Sequence, residues 1–165
     1  MHRFVLKLAY EGTNYHGFQR QEELRTVSGE IEEVLSRLFP GECQKLYRAS
    51  RTDQGVHALG NILSFDTEAE RNPENYARAL NSYLPEDIRV LSAWKKTEDF
   101  HPRFTTHTKE YRYSIDRARV ENPLYQRLYY HYTFPLDLAM IREGIEILKG
   151  EHDFTSFANP KAQTL

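Results

Sequence analysis

The sequence predicts an α+β fold of ferredoxin-like type, and three observations carry that expectation. Segments of two-residue apolar alternation and segments with a helical apolar stripe follow one another as strand, helix, strand, strand, helix, strand. Capping and turn residues stand between them. After Lys96 the pattern begins again, as the start of a second unit of the same kind.

Each element has its own signal. Phe4, Leu6, Leu8 and Tyr10 alternate with Val5, Lys7 and Ala9, which reads as a strand with two distinct faces. Glu11-Gly12-Thr13-Asn14 reads as a turn. Thr26 is placed to cap a helix whose stripe is Val27, Ile31, Val34, Leu35 and Leu38, ending before Pro40-Gly41. Gln44–Ala49 and Asn61–Asp66 read as short strands on either side of the loop Ser50–Gly60. Asn72 caps a second helix, with Pro73 in its first turn and Tyr76, Leu80, Tyr83 and Leu84 expected inward. Ile88–Lys95 completes the set as a fourth strand. This βαββαβ order predicts a four-stranded antiparallel sheet with both helices on one face, an architecture in which RNA-recognition modules leave the other face open for bases.

Beyond it, Thr108–Asp116 alternates, with Tyr111, Tyr113 and Ile115 on one face, and Arg127–Thr133 reads as another strand. Asp137 opens a third helix with Leu138, Ile141, Ile145 and Leu148 expected inward, and Gly150 is placed to end it. The expected organisation is therefore a catalytic-loop subdomain over 1–96 and the first part of a second α+β subdomain over 97–165.

With 39% hydrophobic and 28% charged residues among 165, the chain has the composition of an ordinary globular protein. No apolar run approaches the roughly 20 residues that span a bilayer, and Met1-His2-Arg3-Phe4 passes straight into a strand pattern rather than a leader. A single cysteine, Cys43, forms no internal disulfide and reads as a small apolar side chain. These features predict a cytoplasmic location. The net charge of −2 does not announce a nucleic-acid binder. Locally the balance differs: between His101 and His131 stand six basic side chains (Arg103, Lys109, Arg112, Arg117, Arg119, Arg127) against three acidic ones. Phe104, Tyr111, Tyr113, Tyr125, Tyr129 and Tyr130 are interleaved with them. Cations for phosphate and rings for bases make an RNA-binding face, although half-buried tyrosines and snorkelling arginines on a twisted sheet give the same pattern.

The segment with chemical content is Ser50-Arg51-Thr52-Asp53-Gln54-Gly55-Val56-His57-Ala58, in the loop between the second and third strands. Asp-x-Gly is a common turn in its own right. Here, however, Arg51, Asp53 and His57 are crowded into seven residues at the end of a sheet. A carboxylate is ionised near neutral pH and attacks without a general base, unlike a serine. Glycosidases show that carboxylates attack sugar carbons, so breaking a bond between base and ribose is within reach. The chain lacks an evident second carboxylate of the hydrolase kind, the Cys/His clusters of structural zinc sites, a Gly-rich phosphate loop and a dinucleotide fingerprint. The scattered His16, His101, His107, His131 and His152 read as surface or satisfied histidines.

Ser50–Ala58 resembles the catalytic motif of the TruA family of tRNA pseudouridine synthases. Five further segments resemble the family in order: Tyr10–Gln21, Asn81–Pro85, Phe100–Phe104, Lys109–Tyr113 and Asp153–Phe157. The resemblance covers essentially the whole chain. It implies isomerisation of uridine in the anticodon stem-loop of tRNA, without a cofactor or metal, by a homodimer. It further implies that Asp53 is the nucleophile, Tyr111 stacks on the uracil and helps remove a proton, and Arg51 holds the flipped nucleotide, with Gln19, Arg20 and Arg112 as RNA or site contacts. Family members are longer, and their second half supplies a His-x-Met-Val-Arg-like segment whose arginine pairs with the catalytic Asp. No such segment follows Leu165, so the chain is expected to be a fragment. The rival expectations are a catalytically silent RNA-binding module on the same sheet, and a hydrolase of glycosides or nucleosides using Asp53.

Overall fold

The computed structural model describes residues 1–43, 45–105 and 108–157. The chain divides into two compact units, Met1–Glu110 and Tyr111–Leu165.

The first unit has the expected order: β1 (His2–Tyr10), α1 (Val27–Leu38), β2 (Leu46–Arg48), β3 (Ala58–Thr67), α2 (Pro73–Asn81) and β4 (Ile88–Lys96). The sheet runs β2-β3-β1-β4 with every pairing antiparallel. β1 is central, with Leu6 opposite both Leu63 and Ala93. Gln44, the expected first residue of β2, lies outside the described residues.

The helices form where their caps and stripes agree. Thr26 accepts from the Gly29 amide at 3.3 Å, and the buried side of α1 is Val27, Ile31, Val34 and Leu35. Asn72 accepts from the Glu74 amide at 3.0 Å, with Pro73 opening α2 and Tyr76, Ala77 and Leu80 buried. These stripes meet Phe4, Leu6, Leu8 and Tyr10 of β1, Leu63 and Phe65 of β3 and Ile88 and Val90 of β4 in one core. At its centre the Tyr76 ring meets Phe4 and Phe65 edge-on, each with centroids 5.2 Å apart. Edge-to-face pairs contribute about 0.5–1.5 kcal/mol each beyond the area they bury. Tyr83 is not inward as the stripe predicted. α2 ends at Asn81, so Tyr83 falls past the last turn, exposed, with the Arg37 guanidinium 4.9 Å from its ring.

The opposite face of the sheet is partly covered here, whereas RNA-recognition modules of this architecture leave it open for bases. Arg3, Val5, Ser64 and Asp66 are all buried. Arg3 Nε and Nη2 donate to the two Asp66 carboxylate oxygens at 2.7 and 2.9 Å, and the Tyr47 hydroxyl donates to the same carboxylate at 3.0 Å. The third Arg3 nitrogen, Nη1, donates to the Phe100 carbonyl, which ties residues after β4 to this face. The His101 ring meets Tyr47 edge-on at 5.1 Å, and Pro102 is buried. Residues 97–105 thus belong with the first unit.

The second unit departs from the pattern read in the sequence. Of Thr108–Asp116 only Ile115–Asp116 (β5) is strand, and of Arg127–Thr133 only Tyr130–His131 (β6); the two pair in parallel. Alternation describes one strand, but a ladder needs a partner in register. Here register is kept for two residues, and Tyr111 and Tyr113 stand outside it, exposed. Asp137 does cap the third helix, α3 (Leu138–Leu148), accepting from the Ala139 and Met140 amides, and Gly150 follows the helix end with φ +98°. Its stripe Leu138, Ile141, Ile145 and Leu148 is not buried: no residue of α3 is.

Candidate active site

The chain leaves the sheet after Arg48, keeps one more ladder bond (Ala49 N–H to the Ile62 carbonyl, 2.9 Å) and returns at Ala58. Between these points Asp53–Val56 closes as a turn, with the Val56 N–H donating to the Asp53 carbonyl at 3.2 Å. Gly55 has φ +77°, a conformation that a side chain would strain, and this is why the turn needs glycine there. The Asp53 side chain is exposed and, among the described residues, has neither a hydrogen bond nor an ion pair. Arg51, also exposed, forms no ion pair with it.

A free carboxylate on a surface loop would be unremarkable if the loop were loose. This one is braced from three sides. From beneath, the Tyr10 hydroxyl shares a 2.8 Å hydrogen bond with Thr52 Oγ1, and Asn61 Nδ2 donates to that hydroxyl (3.1 Å) and to the Ser50 carbonyl (3.2 Å). Burial pushes the Tyr10 phenol up against the opposing pull of these bonds, so it remains a neutral hydroxyl. From the side, the Phe18 N–H donates to the Thr52 carbonyl at 3.0 Å, and the Gly55 N–H to the Tyr15 carbonyl at 3.3 Å. At the far end, the Gly12 N–H donates to His57 Nδ1 at 3.0 Å. The approach is close enough to exclude side chains. A Cβ on Gly12 would lie 2.0 Å from the Val56 carbonyl oxygen, and one on Gly17 2.7 Å from that of Thr52.

Segment 12–18 therefore exists in this form to hold the Asp53 loop, and it is itself fixed. Tyr15 is buried, and its hydroxyl donates to Asp87 just before β4; burial and that carboxylate together raise its pKa. Backbone bonds from Val27 to Gly17 and from Ser28 to Phe18 join the segment to the start of α1.

The remaining site residues fall into two groups. Gln19 and Arg20 directly follow the brace. The Arg20 guanidinium pairs with Glu32 at 3.2 Å, and Glu32 also accepts from Arg48 at the mouth of the loop. Asp53, Arg51, Gln19 and Arg20 thus belong to the same end of the first unit. Tyr111 and Arg112 open the second unit, both exposed. His107 lies outside the described residues. Among those described, no group of three His, Cys, Asp or Glu side chains is placed to hold a metal ion, and no helix is long and apolar enough to cross a membrane.

The sequence reading missed Tyr10 and Asn61 as supports of the loop. A signal for Asn61 was present: an amide beside the apolar run Ile62-Leu63 needs partners. Tyr10 was hidden because alternation alone makes it a core ring.

Residues 8–105, which contain the whole of this braced loop, match the family described as tRNA pseudouridine synthase. The chain belongs to that family. It is 42% identical over 157 residues to tRNA pseudouridine synthase A of Streptococcus equi subsp. equi (strain 4047), covering 95% of this chain and 63% of that protein. To tRNA pseudouridine synthase A of Geobacillus sp. (strain WCH70) it is 38% identical over 159 residues, covering 96% and 64%. The chain therefore spans about 63% of the length of these pseudouridine synthase relatives.

Proposed function

We propose that the protein isomerises uridine to pseudouridine in the anticodon stem-loop of tRNA, with Asp53 as nucleophile and neither metal nor cofactor in the reaction. The observation that supports this reading most is the placing of Asp53: an exposed carboxylate without partners among the described residues, on a loop braced through Thr52, Gly55 and His57, inside the region matched to the family. Asp53 attacks C1′ of the target uridine, and the C1′–N1 bond breaks with its electrons leaving on the uracil. The base turns, C5 forms the new bond to C1′, and the aspartate leaves. C5 then loses its proton and N1 gains one, so nothing is consumed and nothing released.

Tyr111 stacks on the uracil and assists the proton loss, Arg51 holds the flipped nucleotide, and Gln19, Arg20 and Arg112 contact RNA. A flipped base costs a few kcal/mol to unstack, and stacking on one aromatic ring returns about 1–3 kcal/mol, which is the right scale. The active form is a cytoplasmic homodimer. The experiment is to incubate the protein with unmodified tRNA and map pseudouridine by mass. Pseudouridine in the anticodon stem-loop, lost in Asp53→Asn, is the expected result. Release of free uracil would mark a hydrolase, and binding without product a silent RNA-binding module.

A further inference from the structure

The contact at the far end of the Asp53 loop contains two claims on one atom. His57 Nδ1 lies 3.0 Å from the Gly12 amide nitrogen and 3.4 Å from Glu11 Oε1. It cannot serve both as acceptor and as donor. An amide N–H always carries its proton, so the Gly12 bond requires a bare Nδ1 and places the imidazole proton on Nε2. The ion pair with Glu11 would require a proton on Nδ1 and would leave the buried Gly12 N–H without its acceptor. The shorter distance and the amide's fixed proton favour the first arrangement. Glu11 has other work: its carboxylate accepts from the Thr13 amide at 3.2 Å and from the Thr13 hydroxyl.

We propose that His57 is a positioning residue for Asp53, acting as a neutral acceptor through Nδ1 on the Gly12 amide. The inference rests on the isomerase reading for its functional consequence, but its structural part stands apart from it. The Gly12 amide is the clamp at the far end of a loop that is otherwise held by backbone bonds at Thr52 and Gly55 and by the side chains of Tyr10 and Asn61 at Thr52 and Ser50. Without it, the close approach of the Val56 carbonyl to Gly12, which the lack of a Cβ allows, loses its nearest hydrogen bond and rests on the Gly55–Tyr15 bond. The turn Asp53–Val56 would then swing on its remaining bonds. A displacement of about 1 Å at a reacting group costs on the order of 10²-fold in rate.

The test uses three variants of the protein. Asn places its Oδ1 where histidine carries Nδ1, so His57→Asn keeps an acceptor that can never be protonated. His57→Ala removes the acceptor, and Glu11→Gln removes the charge while retaining the oxygen that Thr13 uses. Two readouts are taken: hydrogen exchange at the Gly12 amide, and the rate of covalent adduct formation with 5-fluorouridine tRNA alongside the Kd for that RNA. Expected is a protected Gly12 amide in wild type, His57→Asn and Glu11→Gln. In His57→Ala it exchanges freely, adduct formation falls on the order of 10²-fold, and Kd is unchanged. His57→Asn restores most of the rate. If His57→Asn is as slow as His57→Ala, the ring itself is required and the acceptor role is wrong. If Glu11→Gln matches His57→Ala, the ion pair is the operative contact and the proposal is overturned. Should wild type form no adduct at all, the isomerase reading fails, and Gly12 exchange alone decides for or against the clamp.

Discussion

At the scale of single residues, the decisive contrast is between the side chains that hold the loop and the carboxylate of Asp53. Thr52, Tyr10, Asn61 and His57 each spend their polar atoms on holding the loop, whereas Asp53 has no such bond among the described residues. Asp53→Asn should therefore leave the melting temperature within about a degree of wild type, because an exposed isosteric change away from any network alters stability by less than about 0.5 kcal/mol. Calorimetry checks this, and a large loss of stability would mean that the carboxylate is structural. Tyr111 separates ring from hydroxyl in the same way. Its exposure, 70%, leaves little packing to lose, so Tyr111→Phe should melt like wild type. If the hydroxyl handles the C5 proton, turnover falls 10²–10⁴-fold with RNA affinity kept, as measured by kcat and Kd. Unchanged turnover would leave Tyr111 a stacking role only.

Between elements, the two faces of the sheet carry different physics. The Arg3–Asp66 pair joins β1 to β3 beneath residues 97–105. Burial pushes the Asp66 carboxyl up, but the bonds from Arg3 and Tyr47 and the charges of Arg3 and Lys45 outweigh it, and the pKa lies below its ordinary value. A depressed folded-state pKa stabilises the fold above the unfolded value, near 3.9, and the benefit is lost as pH falls through the folded value. Urea unfolding as a function of pH should show stability falling below pH 4, with a shallower fall in Asp66→Asn. Arg3→Ala leaves a buried carboxylate uncompensated and should cost about 3–5 kcal/mol. The elements of the first unit were legible in the sequence because period, cap and stripe agreed at each: Thr26 before Val27, Asn72 before Pro73, alternation in β1. The brace was not legible. It depends on Gly12, Gly17 and His57 meeting across about 40 residues of chain, a closeness set by tertiary folding. The second unit was over-read, since the alternation Tyr111–Ile115 supplies a strand pattern, but among the described residues only its end, Ile115, is in a ladder.

For the molecule as a whole, the net charge of −2 means that the proposed RNA binding would fall to local arginines. If Arg20, Arg51, Arg103 and Arg112 neutralise phosphates, affinity falls linearly with salt on logarithmic axes. Each true contact removed should make that slope shallower by about 0.7–0.9. Slopes unchanged in all four single variants would remove the proposed RNA face. The central claim, however, is chemical: Asp53 becomes covalently joined to the uridine it isomerises. Fluorine withdraws electron density from C5 and so slows its rejoining to C1′, the step in which the aspartate leaves, and 5-fluorouridine tRNA should therefore accumulate the species with nucleoside and protein still linked. The most direct measurement is the mass of the protein after incubation with that RNA and nuclease digestion, followed by mapping of the modified peptide. The account predicts added mass on the peptide that contains Asp53, and none in Asp53→Asn. Pseudouridine formation in Asp53→Asn, or an adduct mapped to any other residue, would contradict it.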